Sequence, residues 1–503
     1  MKLPRLTLPN LAIGVTFAGI FAMAARPSVD TDTWWHLRAG AWMLAHGQVL
    51  TTDVFSSTRF GLPWLNHSWL SQIVMYLVWH FFSYAGLNLL TAALVTAAWW
   101  FVYACCDGNA YLKAFSLVLA AAASAVFWSA RPQIASFVLA AVFVCVLSNY
   151  RWRGLDRLWW LPPLMLVWVN LHAGFAIGFI VLFGTLAAQA AGLVFGVSGP
   201  GTLGWRQLRR LGLITAICVA VVPLNPFGLA LYLEPLRTVS IGVLQQFIQE
   251  WQSPDFHLLQ FQPFLWLLLA TVAVLGFSRR RADLTDLVLA GGFTYLALVS
   301  ARNVSTAALV ITPLLTRHAA AIMDDVAASR PRLAALFAAP AAPRRNLAWL
   351  NVAILGLVLL AVLLKVVDAA RPAANEANIA SRVPVQAADY LEQARPPGPL
   401  FNSYNWGGYL AWRLYPDYLV FVDGRTDLYD EALLRQYLTA ALGQPGYAQV
   451  LDDHGVNLVL VEQGSPLAQR LAENSAWRLL HSDSISVVFQ RVTQMALASG
   501  AGP

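Results

Sequence analysis

Charge is what this 503-residue chain has least of. Asp, Glu, Lys and Arg make up 12% of it against 58% hydrophobic residues, and the mean hydropathy is +0.57. So thin a polar complement excludes a soluble globular domain of ordinary composition, and the chain reads as a polytopic α-helical membrane protein. Cysteine is almost as scarce. Cys105, Cys106, Cys145 and Cys218 all fall in or beside apolar runs and none lies in the C-terminal region, which excludes a disulfide framework and zinc-type spacing. They read as small core residues. A net charge of +7 resolves into about eleven net positive charges before residue 370 and about four net negative ones after it. The basic excess lies in short loops between apolar runs, where it orients helices, so no nucleic-acid partner is expected. No internal repeat is present.

Apolar runs of bilayer length are abundant. They are read near 9–26, 86–105, 112–130, 132–149, 157–171, 173–196, 210–226, 261–278, 284–300, 302–320 and 347–366, giving about eleven transmembrane helices. Ala22-Met-Ala24 has the form of a signal-peptidase site, but the first run is expected to be retained. Lys2 and Arg5 precede that run. The positive-inside rule then puts the loop after it on the outer face, and the clusters Arg151/Arg153/Arg157, Arg206/Arg209/Arg210, Arg279/Arg280/Arg281 and Arg317 to Arg345 on the inner face. Residues 68–82 are apolar but short and carry Ser68, Trp69, Gln72 and His80. Counting them as a crossing would reverse every later cluster, so they are expected to form an interfacial or re-entrant helix on the outer side. The connector Ala327–Arg345 is rich in Ala, Pro and Arg and reads as a loose linker.

The expected division is 1–368, a transmembrane domain with outer loops 27–67 and 227–260, and 369–503, an extracytoplasmic α/β domain. In the latter, Leu419–Val422, Leu458–Val461 and Ile485–Phe489 have strand length. Helical periodicity runs through Val385–Ala394, Glu431–Leu442, Tyr447–His454 and Pro466–Ser475.

Directly behind the first run lies Asp30-Thr-Asp-Thr-Trp-Trp-His-Leu-Arg38. Charge at the mouth of a bilayer calls for a reason. A carboxylate there could deprotonate an acceptor hydroxyl. The competing role is to cap the helix predicted over Thr33 to His46.

This stretch, with His46-Gly, Thr52-Asp53, Phe55-Ser56 and Gly61-Leu-Pro-Trp64, resembles the first outer loop of the GT-C superfamily of membrane glycosyltransferases. It most resembles the bacterial mannosyl-, galacturonosyl- and aminoarabinose-transferase-like group. Arg131-Pro-Gln133, Asn170-Leu-His-Ala-Gly-Phe175, Asn225-Pro-Phe-Gly228, Glu250-Trp-Gln-Ser-Pro-Asp255 and Arg302-Asn303 extend the resemblance along the chain. It implies an inverting transferase of the bacterial inner membrane that takes a sugar from a polyprenyl-phosphate-linked donor to an envelope glycan, lipid or protein. Asp32 or Asp30 would be the base. Arg131 and Arg302 would grip the donor phosphate through guanidinium forks, or else snorkel to the interface. Glu250, His172, His36 and His67 would line the sugar site.

Phe401-Asn-Ser-Tyr-Asn-Trp-Gly-Gly-Tyr-Leu410 and Asp423-Gly-Arg425 resemble the segment around the Trp-Trp-Asp-Tyr-Gly motif of oligosaccharyltransferases, with Asn405 near the expected acidic residue. On that reading Trp406, Tyr409, Asp423 and Arg425 form an acceptor surface; the alternative is a buried turn packed by its own aromatics. No cofactor is expected. A divalent cation is left open, since oligosaccharyltransferases hold one, but Arg131 stands roughly where a second acidic outer-loop pair would be. The histidines lack HExxH-like spacing. A non-catalytic GT-C-like scaffold or recognition subunit is the alternative function.

Overall fold

The computed structural model describes residues 6–27, 30–197, 199–235, 242, 248–329 and 348–492. Lys2 and Arg5, most of the 327–345 connector and the middle of the 227–260 loop lie outside the described residues. The chain forms two compact units. One comprises Met1–Ser28, Phe82–Pro235 and Gln245–Arg371; the other comprises Val29–Phe81, Leu236–Leu244 and Pro372–Pro503. One unit boundary falls between Arg371 and Pro372. The first outer loop, however, belongs to the second unit and not to the transmembrane domain. Packing explains the difference, because Trp34 sits edge-on to Tyr409 with ring centroids 5.2 Å apart and Phe55 to Tyr415 at 5.1 Å.

The first unit is helical. Its helices are α1 (Leu8–Ala24), the later part of α3 (Trp69–Cys105), α4 (Ala110–Ser124), α5 (Gln133–Arg153), α6 (Leu161–Leu171), α7 (Phe175–Val194), α8 (Trp205–Val221), α9 (Gln262–Phe277), α10 (Leu284–Val299), α11 (Val304–Ser329) and α12 (Ala348–Ala370). Each expected apolar run coincides with one of them. Among the described residues seven helices are long and apolar enough to cross a membrane, and three shorter ones are apolar. Local chemistry sets the ends. Thr7 caps α1 by accepting from the Asn10 N–H, with Pro in the first turn, and Gly154 at φ 66° closes α5 behind Arg151 and Arg153.

As one straight rod α3 would be about 55 Å long, well beyond a hydrocarbon core. It breaks at Ser83 (φ 52°, ψ −155°). The stretch that looked too short and too polar to cross is therefore a separate helix, and it falls in the second unit.

Polar groups collect at both ends of α5. At its C-terminal end Arg151 bonds Asp283 and Asp286, and Arg317 bonds Asp286 and Asp107. The Arg317, Arg280 and Arg151 guanidinium carbons stand 3.9, 5.0 and 5.4 Å from the centroid of the Trp152 ring. Three of the arginine clusters assigned to one face thus meet around one tryptophan. Arg131 precedes the other end of α5, and Ser300–Arg302 follow α10, which starts at the Asp283 cap. Helices of 21 and 16 residues separate the two polar layers by about 31 and 24 Å, close to the roughly 30 Å hydrocarbon core.

The second unit carries α2 (Thr33–His46), the first part of α3, and an α/β layer. The sheet order is β1-β2-β4-β3, formed by Leu400–Asn402, Leu458–Glu462, Ser486–Arg491 and Trp477–Ser482, with β1 parallel to β2 and the other pairs antiparallel. Around it lie α13 (Pro372–Ala380), α14 (Val385–Ala394), α15 (Gly407–Leu414), α16 (Glu431–Ala441), α17 (Tyr447–Asp453) and α18 (Pro466–Ala472). One expectation fails: Leu419–Val422 stays out of the sheet. Its backbone is satisfied elsewhere, through the Ser56 to Val420 bridge and through the Asn402 amide, which accepts from Phe421 N (2.7 Å) and donates to Val422 O (2.9 Å). This segment ties the first loop to the sheet layer.

Candidate functional site

In the second unit, the two motifs that stand 370 positions apart in sequence are in contact. Asp32 occupies the N-cap position of α2 but makes no side-chain cap bond, and its backbone is helical (φ −88°, ψ −19°) where a capping residue is usually extended. The capping role therefore does not describe Asp32. Asp30 organises the turn instead, its Oδ1 accepting from Asp32 N at 3.0 Å. Asp32 is 6% exposed and Asp30 half-buried. Gly408 and Gly424 face the turn so closely that a Cβ on the first would strike Thr31 O and one on the second Asp32 Oδ1.

Behind Gly424, Arg425 spans two carboxylates. Its Nε lies 2.9 and 3.0 Å from the Asp423 oxygens, Nη2 lies 2.7 Å from Asp423 Oδ2, and Nη1 reaches Asp53 Oδ1 at 2.5 Å. All three side chains are fully buried. Burial would lower the Arg425 pKa, but Asp423 and Asp53 raise it well above the usual value. Burial pushes the Asp53 carboxyl up; Arg425, the Ser56 hydroxyl and the Phe55 N–H outweigh it and hold the group below the usual range. His36 is buried, its ring centroid 3.5 Å from that of Trp35 with the planes tilted by 35°, and Gln72 Nε2 lies 3.4 Å from its Nδ1. His67 Nδ1 lies 2.8 Å from Ser68 Oγ.

In the first unit, Arg131 Nη1 lies 3.5 Å from Glu250 Oε2, with both side chains a fifth to a quarter exposed. Ser300 Oγ donates to Glu250 O at 3.0 Å, and Ala301 N to Gln252 O at 2.8 Å, so the 3₁₀ turns Gln249–Trp251 and Ala301–Asn303 are stitched together. The Arg302 guanidinium lies over the Trp251 ring at 4.2 Å. Burial raises the Glu250 pKa, and Arg131 and Arg302 more than reverse the effect, leaving the carboxylate ionised between two guanidinium groups. His172 Nδ1 accepts from Gly174 N (3.0 Å) and lies 2.9 Å from Ser136 Oγ, which itself accepts from Trp168 Nε1 (2.7 Å). With Nδ1 an acceptor, the ring is the Nε2–H tautomer, a donor.

No protein-family model matches the chain, and no curated protein sequence does. Solved structures do. The archaeal oligosaccharyltransferase AglB from Archaeoglobus fulgidus, in complex with an inhibitory peptide and a dolichol-phosphate, aligns at TM-score 0.52 and 12% identity over 90% of this chain and 69% of that one. The Archaeoglobus fulgidus oligosaccharyltransferase tethered with an acceptor peptide containing the NVT sequon aligns at TM-score 0.51 and 13% identity over 96% of this chain and 74% of that one. This is the GT-C fold. ArnT from Cupriavidus metallidurans bound to undecaprenyl phosphate aligns at TM-score 0.49 and 18% identity along 98% of both chains.

Within the GT-C fold of this chain the expected residues divide. Arg131, Arg302 and Glu250 are brought together in the first unit, and Asp30, Asp32, His36, Asp423 and Arg425 in the second. The expected acceptor surface is corrected: Trp406 and Tyr409 are 4% and 3% exposed, and Asp423 and Arg425 are 0%. Trp406 Nε1 donates to Arg382 O (3.0 Å), and Tyr409 accepts from Arg413 Nη1 (2.9 Å). All four are buried, as in the alternative of a turn packed by its own aromatics. Sequence reasoning missed Asp53, Gly424, Trp251 and Ser300 as parts of these clusters. Three of them stood inside the quoted motifs, but only their partners, far away in sequence, give them a role.

Proposed function

We propose that this protein is an integral membrane glycosyltransferase that moves a sugar, with inversion, from a polyprenyl-phosphate-linked donor to a cell-envelope acceptor on the extracytoplasmic face. The carrying observation is Asp32, a carboxylate at a helix start that lies against Gly424 and not in the side-chain cap bond usual at that position. In this reading Asp32 takes the proton of the acceptor hydroxyl, the new bond forms from that oxygen to the anomeric carbon, and the bond from that carbon to the phosphate oxygen breaks. The polyprenyl phosphate leaves with one more negative charge than it held in the donor. Binding that developing charge more tightly than the donor's is the condition for accelerating the step, and we assign this role to the guanidinium forks of Arg131 and Arg302. The grip is arginine-based, and we assign no metal to it. The Nε2–H of His172 would donate to a sugar hydroxyl. The dolichol-phosphate held by AglB is a lipid of the chemistry proposed for the donor.

The alternative is a non-catalytic scaffold or recognition subunit, in which the buried Asp32 would be structural. Mass spectrometry of lipid co-purified with the protein separates the two. A bound polyprenyl-phosphate sugar, lost on Arg131→Ala/Arg302→Ala, supports the transferase; only bulk phospholipid in both forms supports the scaffold.

A further inference from the structure

Gly408 and Gly424 do not need to be glycine for their backbone angles, because neither has a left-handed φ. They need it for approach. A side chain on Gly408 would strike Thr31 O and one on Gly424 the carboxylate oxygen of Asp32, while Gly407 is pressed as closely onto Val422 O and the Asp423 backbone. The Gly407-Gly408 turn and the 420–424 segment are thus closed on each other, and the Asp30–Asp32 turn rests against both. The segment itself is immobilised at three points: the Ser56 to Val420 bridge, the Asn402 amide, and Arg425 chelated between Asp423 and Asp53.

We propose that Gly424, fixed by the buried Asp53–Arg425–Asp423 clamp, is the positioning element for the Asp32 carboxylate. The C-terminal half of the chain, and not the first loop alone, sets the direction in which the base points. An aspartate at a helix start can turn back onto free N–H groups of the first turn; the wall at Gly424 restricts Asp32 Oδ1 to the observed orientation. The clamp has both carboxylates engaged and no solvent access, so it transmits little motion to the turn it carries. This inference rests on the assignment of Asp32 as the base.

The test is Gly424→Ala in the full chain, alone and with Asp32 changed. If the added methyl competes with the Asp32 carboxylate, Gly424→Ala lowers the Tm by several degrees in the wild-type background and by less than about 1 °C once Asp32→Ala has removed the carboxylate. Transfer is followed with tritiated undecaprenyl-phosphate sugars in bilayer vesicles. There Gly424→Ala loses roughly 10²-fold in kcat with donor KM held within about twofold, as expected for a base displaced by about 1 Å, and is no slower than Asp32→Asn when the two are combined. Should Gly424→Ala alone not fold, recovery of folded protein in Gly424→Ala/Asp32→Ala supports the contact, and its failure to recover overturns it. Equal Tm losses in both backgrounds, or unchanged kcat, also overturn the positioning role. If the Tm coupling holds and wild type transfers no sugar from any donor, the positioning geometry stands and the transferase reading falls. If transfer depends on Asp32 and not on Gly424, the reverse is true.

Discussion

Replacing Arg425 by leucine tests the clamp most directly. The side chain donates four bonds of 2.5 to 3.0 Å to two carboxylates, all three groups are fully buried, and the guanidinium also faces the rings of Phe55 and Trp64 at 5.4 and 5.0 Å. Leucine keeps part of the packing and leaves Asp53 and Asp423 without their cation. Breaking a buried pair by removing one partner costs about 3–5 kcal/mol. At about 2–4 °C per kcal/mol for a unit of this size, the second unit should melt roughly 6–20 °C lower. The pH dependence carries a sign. In the wild type the Asp53 carboxyl lies below its unfolded value, so its contribution is fully present above about pH 4 and is lost as the pH falls through the folded value. In Arg425→Leu the guanidinium is gone and burial dominates, which moves the Asp53 carboxyl above its unfolded value. The folded state then binds more protons than the unfolded one, and stability rises as the pH falls towards that value. Melting followed by tryptophan fluorescence from about pH 2 to 8 should therefore show Tm increasing with pH below about pH 4 for wild type and decreasing with pH above it for Arg425→Leu, and Asp53→Asn should restore part of the loss in the variant. A Tm within about 2 °C of wild type, or parallel pH slopes, would refute the clamp.

Three further outcomes are expected. Asp32→Asn should reduce transfer by about 10²–10⁴-fold while leaving Tm and donor-lipid binding near wild type, because the proton acceptor is lost and the shape kept; near wild-type turnover in both Asp32→Asn and Asp30→Asn would remove the base. Arg302→Lys should weaken donor-lipid binding by roughly 1.5–3 kcal/mol with little change in Tm, since lysine keeps the charge but loses the planar fork over Trp251, and equal affinity would return Arg302 to membrane anchoring. Gln469→Cys, at an exposed position of α18, should react with an impermeant maleimide in intact cells if the C-terminal region lies outside; reaction only after permeabilisation would invert the topology.

What could be read from the chain was local. Val385–Ala394 and the run after Glu431 have the periodicity of one buried helix face, and the structure places helices there within a residue or so. Ser68, Gln72 and His80 marked 68–82 as distinct from the apolar run after it, and the break falls at Ser83. What could not be read was pairing. Nothing near Arg425 indicates that its charge is consumed by Asp53, so an arginine beside aromatics looked like a ligand site when it is a strut. Leu419–Val422 has strand composition, but the Asn402 side chain and the 55–57 backbone take the bonds a neighbouring strand would have used. The early loop reads as part of the membrane domain for the same reason: Trp34 packs on Tyr409 and Trp64 bonds Asp427, partners that come only after residue 400.

The Asp53 to Arg425 bond closes a span of 372 residues, and this sets a clock on biosynthesis. At about 5–20 residues per second, roughly 20–75 s pass between synthesis of the carboxylate and of the arginine that neutralises it. Through that interval the early segment, with Trp34, Trp35 and Phe55, has no native seat. A chain ending before residue 400 never acquires one. Such truncations should leave residues 30–66 open to protease even when every helix before Arg371 has been made.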